Sequence, residues 1–150
     1  MLRLSKKADY ALMAVRHLAL PDGPLSTSAR EIAEQYDIPI ELMAKVLQRL
    51  VRAGLLISTQ GTRGGYTLSR PPVAISVADV IQAIDGPFMV TACSTDNNDC
   101  DQYSKCSIRD PLWQIRERIA VTLDAVTIAE MAAESNAVDV PVAHAAVIRR

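Results

Sequence analysis

Residues 28–54 read SAREIAEQYDIPIELMAKVLQRLVRAG, two amphipathic helical runs parted by the break Asp37-Ile38-Pro39. The first opens on Ser28-Ala29-Arg30-Glu31, a capping-box pattern in which the serine hydroxyl and the glutamate carboxylate satisfy amides left free at a helix start. Its apolar residues, Ala29, Ile32, Ala33 and Tyr36, recur at i, i+3, i+4 and i+7, so about two turns bury one face. Pro39 suits the first position of the second helix, because its missing N–H has no partner there in any case. That helix is expected to run to about Ala53, to bury Met43, Val46, Leu47, Leu50 and Val51, and to stop at Gly54. Glu41, Lys45, Gln48, Arg49 and Arg52 form the opposite, net positive face. Two short helices with a tight turn and a basic outer face outline a helix-turn-helix.

Next come Leu55 to Thr59 and Tyr66 to Arg70, two β-prone runs around Gln60-Gly61-Thr62-Arg63-Gly64-Gly65. They read as a hairpin. Its glycines allow close approach of backbone to a phosphate or groove while Arg63 projects. Following a recognition helix, this hairpin is a wing. Upstream, Ser5 to Leu20 places Ala8, Ala11, Leu12, Val15, Leu18 and Ala19 on one helical stripe, ended by Pro21-Asp22-Gly23-Pro24.

The chain has 150 residues, 49% of them hydrophobic, and a formal net charge of −1. One domain with an appendage fits that length. The near-zero charge argues at first against a nucleic-acid partner, but it is unevenly spread. Residues 1–75 hold ten basic against six acidic side chains, +4, and residues 76–150 hold six against eleven, −5. A basic half of this kind is suited to anions. No charge-free stretch is long enough for a membrane span or a secretory segment, so a cytoplasmic protein with reduced thiols is expected.

Pro71-Pro72 precedes a further short helix, Ser76 to Ile84, with Val77, Val80, Ile81 and Ile84 on one side and Gly86 as its stop. Residues 93–106 lack apolar periodicity and carry all three cysteines, Cys93, Cys100 and Cys106. Thiolates on a polar loop suit soft metal centres, whether zinc, copper(I) or iron–sulfur. Zinc is disfavoured because no pair has the two-residue knuckle spacing. From Pro111 to Ala133 one long helix is expected, with Leu112, Ile115, Ile119, Leu123, Val126 and Glu130 as successive members of a stripe and Trp113 in a dimer core. Two-fold pairing through this helix would serve recognition of two half-sites. The fold expected is therefore mainly α. It comprises a winged helix-turn-helix with a small β-hairpin wing over residues 1–86, a cysteine loop over 87–110, a C-terminal dimerisation helix over 111–134 and a disordered tail over 135–150.

The order of Leu4-Ser5, Asp9-Tyr10-Ala11-Leu12, Ile32-Ala33, Ile38-Pro39, the wing Gly61-Thr62-Arg63-Gly64-Gly65-Tyr66 and three Cys before Leu112-Trp113 resembles the iron–sulfur-sensing winged-helix regulators that include IscR and NsrR. Across residues 1–135 it looks most like the branch that regulates SUF-type cluster-assembly genes. The resemblance implies a homodimeric transcription regulator of iron–sulfur assembly or stress-response genes, with a double-stranded DNA operator as partner. It also implies an iron–sulfur cluster, 2Fe-2S or alternatively 4Fe-4S, on Cys93, Cys100 and Cys106. In the IscR pattern a histidine follows the third cysteine by three residues. Here that position is Arg109, which cannot ligate a metal. Asp9 matches a first-helix carboxylate that completes the site across the dimer in the nitric-oxide-sensing branch, and is the candidate fourth ligand; the alternative is an ordinary carboxylate at a helix start. Gln60 stands where many relatives carry Arg, so the wing leans on Arg63.

On this reading, Pro39, Glu41, Leu42, Lys45 and Gln48 face base edges in the major groove. Thr27, Ser28 and Arg49 hold phosphates, while Gln60 and Arg63 reach the minor groove or backbone. The competing reading is a cluster-free winged-helix regulator that uses thiol redox state or a partner protein as its signal. An enzyme is not expected, since the chain has no Cys-X-X-Cys, no P-loop and no dinucleotide fingerprint. Neither a small-molecule substrate nor a membrane partner is expected, and His17 and His144 belong to no constellation.

Overall fold

A computed structural model describes residues 3–91 and 100–133. Helix α1 (Lys6–Leu18) is capped by Ser5, whose hydroxyl accepts from the Ala8 N–H. Ala8, Ala11, Ala14 and Val15 form its buried side, and three alanines there let other helices come close. Helix α2 (Ala29–Gln35) starts on the capping box read from the sequence: the Ser28 N–H donates to Glu31 Oε2 at 2.7 Å, and the Glu31 N–H to Ser28 Oγ at 3.2 Å. Asp37 makes the turn at φ 52°, a left-handed conformation that aspartate tolerates better than most residues. Ile38 then inserts into the core, its N–H bonded to the Ala33 carbonyl at 2.9 Å.

Helix α3 (Ile40–Arg52) buries Met43, Val46, Leu47 and Leu50. Pro39 is its N-cap rather than its first helical residue, one position earlier in role than expected. Strands β1 (Leu56–Thr59) and β2 (Gly65–Leu68) pair antiparallel, with Leu56 opposite Leu68 and Thr59 opposite Gly65. Helix α4 (Val77–Asp85) closes the core from below with Val80, Ile81 and Ile84. This mainly helical body with one two-stranded wing is the fold class expected.

The C-terminal part differs from the single helix expected over 111–133. Helix α5 (Arg109–Ala125) ends before Val126, which is extended, and a second helix, α6 (Ile128–Ala133), begins after it. The break is local chemistry. Thr127-Ile128-Ala129-Glu130 is a third capping box, after Ser28 with Glu31 and Ser76 with Asp79, the Thr127 N–H donating to Glu130 Oε2 at 2.9 Å and the Glu130 N–H to Thr127 Oγ1 at 3.2 Å. Glu130 is thus a capping residue, not part of an apolar stripe. Helix α6 turns back onto α1, where Ile128 is fully buried and Arg16 Nε donates to the Met131 carbonyl at 3.0 Å. Helix α5 buries none of its own residues and packs on α4. Residues 135–150, expected to form a disordered tail, lie outside the described residues.

Candidate nucleic-acid interface

The face of α3 turned from the core carries Glu41, Lys45, Gln48, Arg49 and Arg52, all exposed, with Leu42 half-buried at its edge and Pro39 exposed at its start. The arrangement follows from helical period: burying positions 43, 46, 47 and 50 turns 41, 45, 48, 49 and 52 outward. One acid and three bases leave this face positive. Ile40, also exposed, adds an apolar group at the end of the face that sequence reading did not single out.

The wing is pinned beside the start of α2. Thr27 forms an antiparallel bridge with Tyr66, the Thr27 N–H bonding the Tyr66 carbonyl at 3.2 Å and the Tyr66 N–H the Thr27 carbonyl at 2.8 Å. Ser26 Oγ donates to the Arg63 carbonyl at 3.1 Å, which holds the wing tip from the other side. Ser26 is a positioning contact missed in the sequence, where it is one serine in a polar loop. Gln60 and Arg63 stand exposed at the tip.

Burial bears on two of the assignments. Thr27, expected to hold a phosphate, is only 3% exposed, with its Oγ1 buried and without a hydrogen-bond partner, and its backbone is engaged in the bridge to Tyr66. Ser28 is half-buried and its hydroxyl already accepts the Glu31 N–H as the α2 cap.

The glycines of the wing answer to crowding. A Cβ on Gly64 would collide with the Thr59 carbonyl oxygen and the Gln60 backbone, and one on Gly65 would come within 2.8 Å of Thr27 backbone atoms. Gly64→Ala should therefore force the hairpin tip open, a clash costing about 1–3 kcal/mol. Titration of a fluorescent duplex and a thermal melt check this together. The expected result is about tenfold weaker DNA binding with the helical core still folded; unchanged binding would separate the wing from the interface.

Ahead of α5 in the chain, Cys100 and Cys106 are free, half-exposed thiols bounding a short turn closed by the Tyr103 N–H to the Cys100 carbonyl at 2.9 Å. Cys93 lies outside the described residues. Arg109 secures the turn. Its guanidinium lies 4.5 Å from the centre of the Tyr103 ring, its Nη1 donates to the Tyr103 carbonyl at 3.2 Å, and its Nε bonds Asp110 at 2.8 Å. Asp110 holds the proton on this guanidinium more firmly than usual, with Tyr103 and Cys106 as smaller negative influences. Two turns along α5, Arg116 stacks on Trp113 and donates to the Phe88 carbonyl at 2.9 Å. Trp113 is 40% exposed on the single chain.

Asp9 sits in the first turn of α1 and lines a surface groove of about 550 Å³ with Arg3, Leu4, Ser5 and Lys6. Among the described residues no three His, Cys, Asp or Glu side chains lie close enough to hold one metal ion, so Asp9 and the two described thiols do not meet within the chain. His17 pairs with Tyr36, Nδ1 to the hydroxyl at 3.1 Å, and burial followed by the nearby Arg16 charge lowers its pKa from 6.5.

A profile of the Rrf2 family, described as an iron-dependent transcriptional regulator, matches residues 4–134. The chain belongs to the Rrf2 family of transcriptional regulators. The HTH-type transcriptional regulator rrf2-like protein of Rhodobacter capsulatus is 29% identical over 141 residues, covering 89% of this chain and 94% of that one. Among solved structures, CymR, the global cysteine regulator of B. subtilis, aligns with a TM-score of 0.71 at 28% identity, over 90% of this chain and 99% of its own. T. potens IscR aligns with a TM-score of 0.66 at 28% identity, over 89% and 88%. The Rrf2 chain is thus a DNA-binding regulator and not an enzyme, and among its described residues no helix is long and apolar enough to cross a membrane.

Proposed function

We propose that this Rrf2 regulator is a cytoplasmic homodimer that binds two half-sites of a DNA operator through α3 and the wing, and that the cysteine loop controls that binding through an iron–sulfur cluster. The observation that supports the DNA face is the exposed row Lys45, Gln48 and Arg49 on α3, together with Gln60 and Arg63 exposed on the wing. In this arrangement Pro39, Glu41, Leu42, Lys45 and Gln48 meet base edges, Arg49 and the α2 start at Ser28 meet phosphates, and Gln60 and Arg63 follow the adjacent backbone or minor groove. Residues 1–86 act as the reading head, 87–110 as the sensing loop and α5 as the dimer helix. Trp113, Ile115 and Val121, exposed on α5, are the apolar groups such pairing would cover.

The donor chemistry of the loop fits iron. Cys100 and Cys106 are free and half-exposed, and thiolates are the ordinary ligands of iron–sulfur clusters. Cys93 would be the third ligand and Asp9 of the partner subunit the fourth. When bound, such a cluster, 2Fe-2S in preference to 4Fe-4S, supplies redox and damage sensitivity. The chain's own part is to hold the loop, through Arg109 on the Tyr103 carbonyl and Arg116 on the Phe88 carbonyl, so that a change in the loop reaches α5 directly. The likeness to a cysteine regulator favours a second reading, in which the same loop works without a cluster and reports thiol state or a partner protein.

Anaerobic purification followed by a visible spectrum and iron and sulfide counts distinguishes the two. A coloured protein whose iron and sulfide are lost in Cys100→Ser and in Cys106→Ser is the expected result. A colourless protein that still binds a palindromic duplex would select the cluster-free regulator, and equal DNA affinity with and without the cluster would remove the sensing role.

A further inference from the structure

Three elements meet at the start of α4 through polar side chains that the DNA face does not use. Arg70, just beyond β2, donates from Nη2 to Asp79 Oδ2 at 3.1 Å and from Nε to the Ala74 carbonyl at 2.8 Å. Asp79 accepts the Ser76 N–H at 3.0 Å, and its own N–H donates to Ser76 Oγ at 3.1 Å. A hydroxyl has a single proton to donate, and Ser76 gives its proton to Asp124 Oδ1 of α5 at 3.1 Å. Alongside, the Val77 N–H bonds the Val126 carbonyl and the Ile128 N–H bonds the Ile75 carbonyl, both at 2.9 Å. Ser76 and Thr127 thereby form a strand-like bridge exactly where α5 gives way to α6.

Asp124 is poorly suited to its own helix. A carboxylate in the last turn faces the negative end of the helix dipole, and the last turn of α5 contains no basic residue to offset it. The same carboxylate lies at the N-terminus of α4, where the dipole favours it. Its partner on the neighbouring helix, not its helix of origin, accounts for an acid at this position.

We infer that Arg70, Asp79, Ser76 and Asp124 form a joint that sets the angle between the winged head and α5, with Asp124 as its positioning residue on the α5 side. The inference rests on the reading of α5 as the dimer helix. Once two copies of α5 pair, the angle of each head on its own α5 determines the separation of the two α3 helices, which must match about one turn of DNA, roughly 34 Å. A loosened joint leaves each α3 its own contacts and deprives the pair of its preset spacing.

The test uses duplexes selected from a random pool by the wild-type protein, carrying two half-sites or one, titrated with wild type, Asp124→Ala and Asp124→Asn at one salt concentration. Asp124→Ala should bind the two-site duplex roughly tenfold more weakly and the one-site duplex within about twofold of wild type. Asp124→Asn keeps an acceptor oxygen for Ser76 and should stay near wild type on both. Thermal melting of Asp124→Ala should fall by only a few degrees, because the lost bond from Ser76 and the lost charge at the α4 start are partly offset by removing an acid from the α5 C-terminus. Equal loss on the two duplexes, loss on neither, or a monomeric Asp124→Ala in light scattering would overturn the joint. Wild-type protein that is monomeric and binds one-site and two-site duplexes equally would instead overturn the dimer reading.

Discussion

Replacing Lys45 and Arg63 together with alanine should weaken binding to a selected duplex by about 100-fold, near 1.4 kcal/mol for each lost cation. Both side chains are exposed, one on the outer face of α3 and the other at the wing tip, so neither supports the core. Each cation that neutralises a phosphate displaces a condensed counterion. The slope of log K against log salt should therefore become shallower by about 0.9 for each such contact removed. Titrations at several salt concentrations measure affinity and slope in one experiment. A thermal melt should move little, because exposed substitutions of this kind stay within about 0.5 kcal/mol. Unchanged affinity and slope would place the DNA face elsewhere on the molecule.

Ile128→Ala should be the most damaging of the stability changes, lowering the unfolding free energy by about 2–5 kcal/mol. Ile128 is fully buried where α6 folds back on α1, and its truncation leaves a cavity in a close-packed core that relaxes only in part. At about 2–4 °C per kcal/mol, the melting temperature should fall on the order of 10 °C. Val73→Ala, at a position that is mostly exposed, is the comparison and should change stability by less than about 0.5 kcal/mol. The result discriminates between two arrangements of the same residues. On a single helix through residue 130, Ile128 would lie on the opposite side from Val126 and Glu130 would share the stripe. Its truncation would then cost little.

The helix-turn-helix was legible because each of its signals is local. A serine three residues before a glutamate, a proline after a turn and a glycine after a basic last turn act through bonds within one or two helical turns, and they recur in the structure as the Ser28–Glu31 box, the Pro39 cap and the positive-φ Gly54. The capping box at Thr127 and Glu130 has the same local form. It was hidden by an apolar periodicity that runs across it, and in the structure the pairing of residues 75–77 with residues 126–128 reinforces the turn that the cap begins. The burial of Thr27 was not legible for a related reason. A threonine before a helix start is as fit for a phosphate as for a bridge, and the choice was made by Tyr66, about forty residues away, whose backbone pairs with it.

The sequence by itself determined the mainly helical winged fold, the outward row on α3 and the grouping of the cysteines, since amphipathic period, caps and glycine turns act over a few residues. Tertiary structure decided which of the polar residues near the wing remain accessible, how α6 docks back on α1, and that Ser76 and Asp124 meet. Those outcomes depend on contacts between segments far apart in the chain, such as 76 with 124 and 16 with 131. No local pattern encodes them, because the free energy that selects each one comes from burying or pairing the partner.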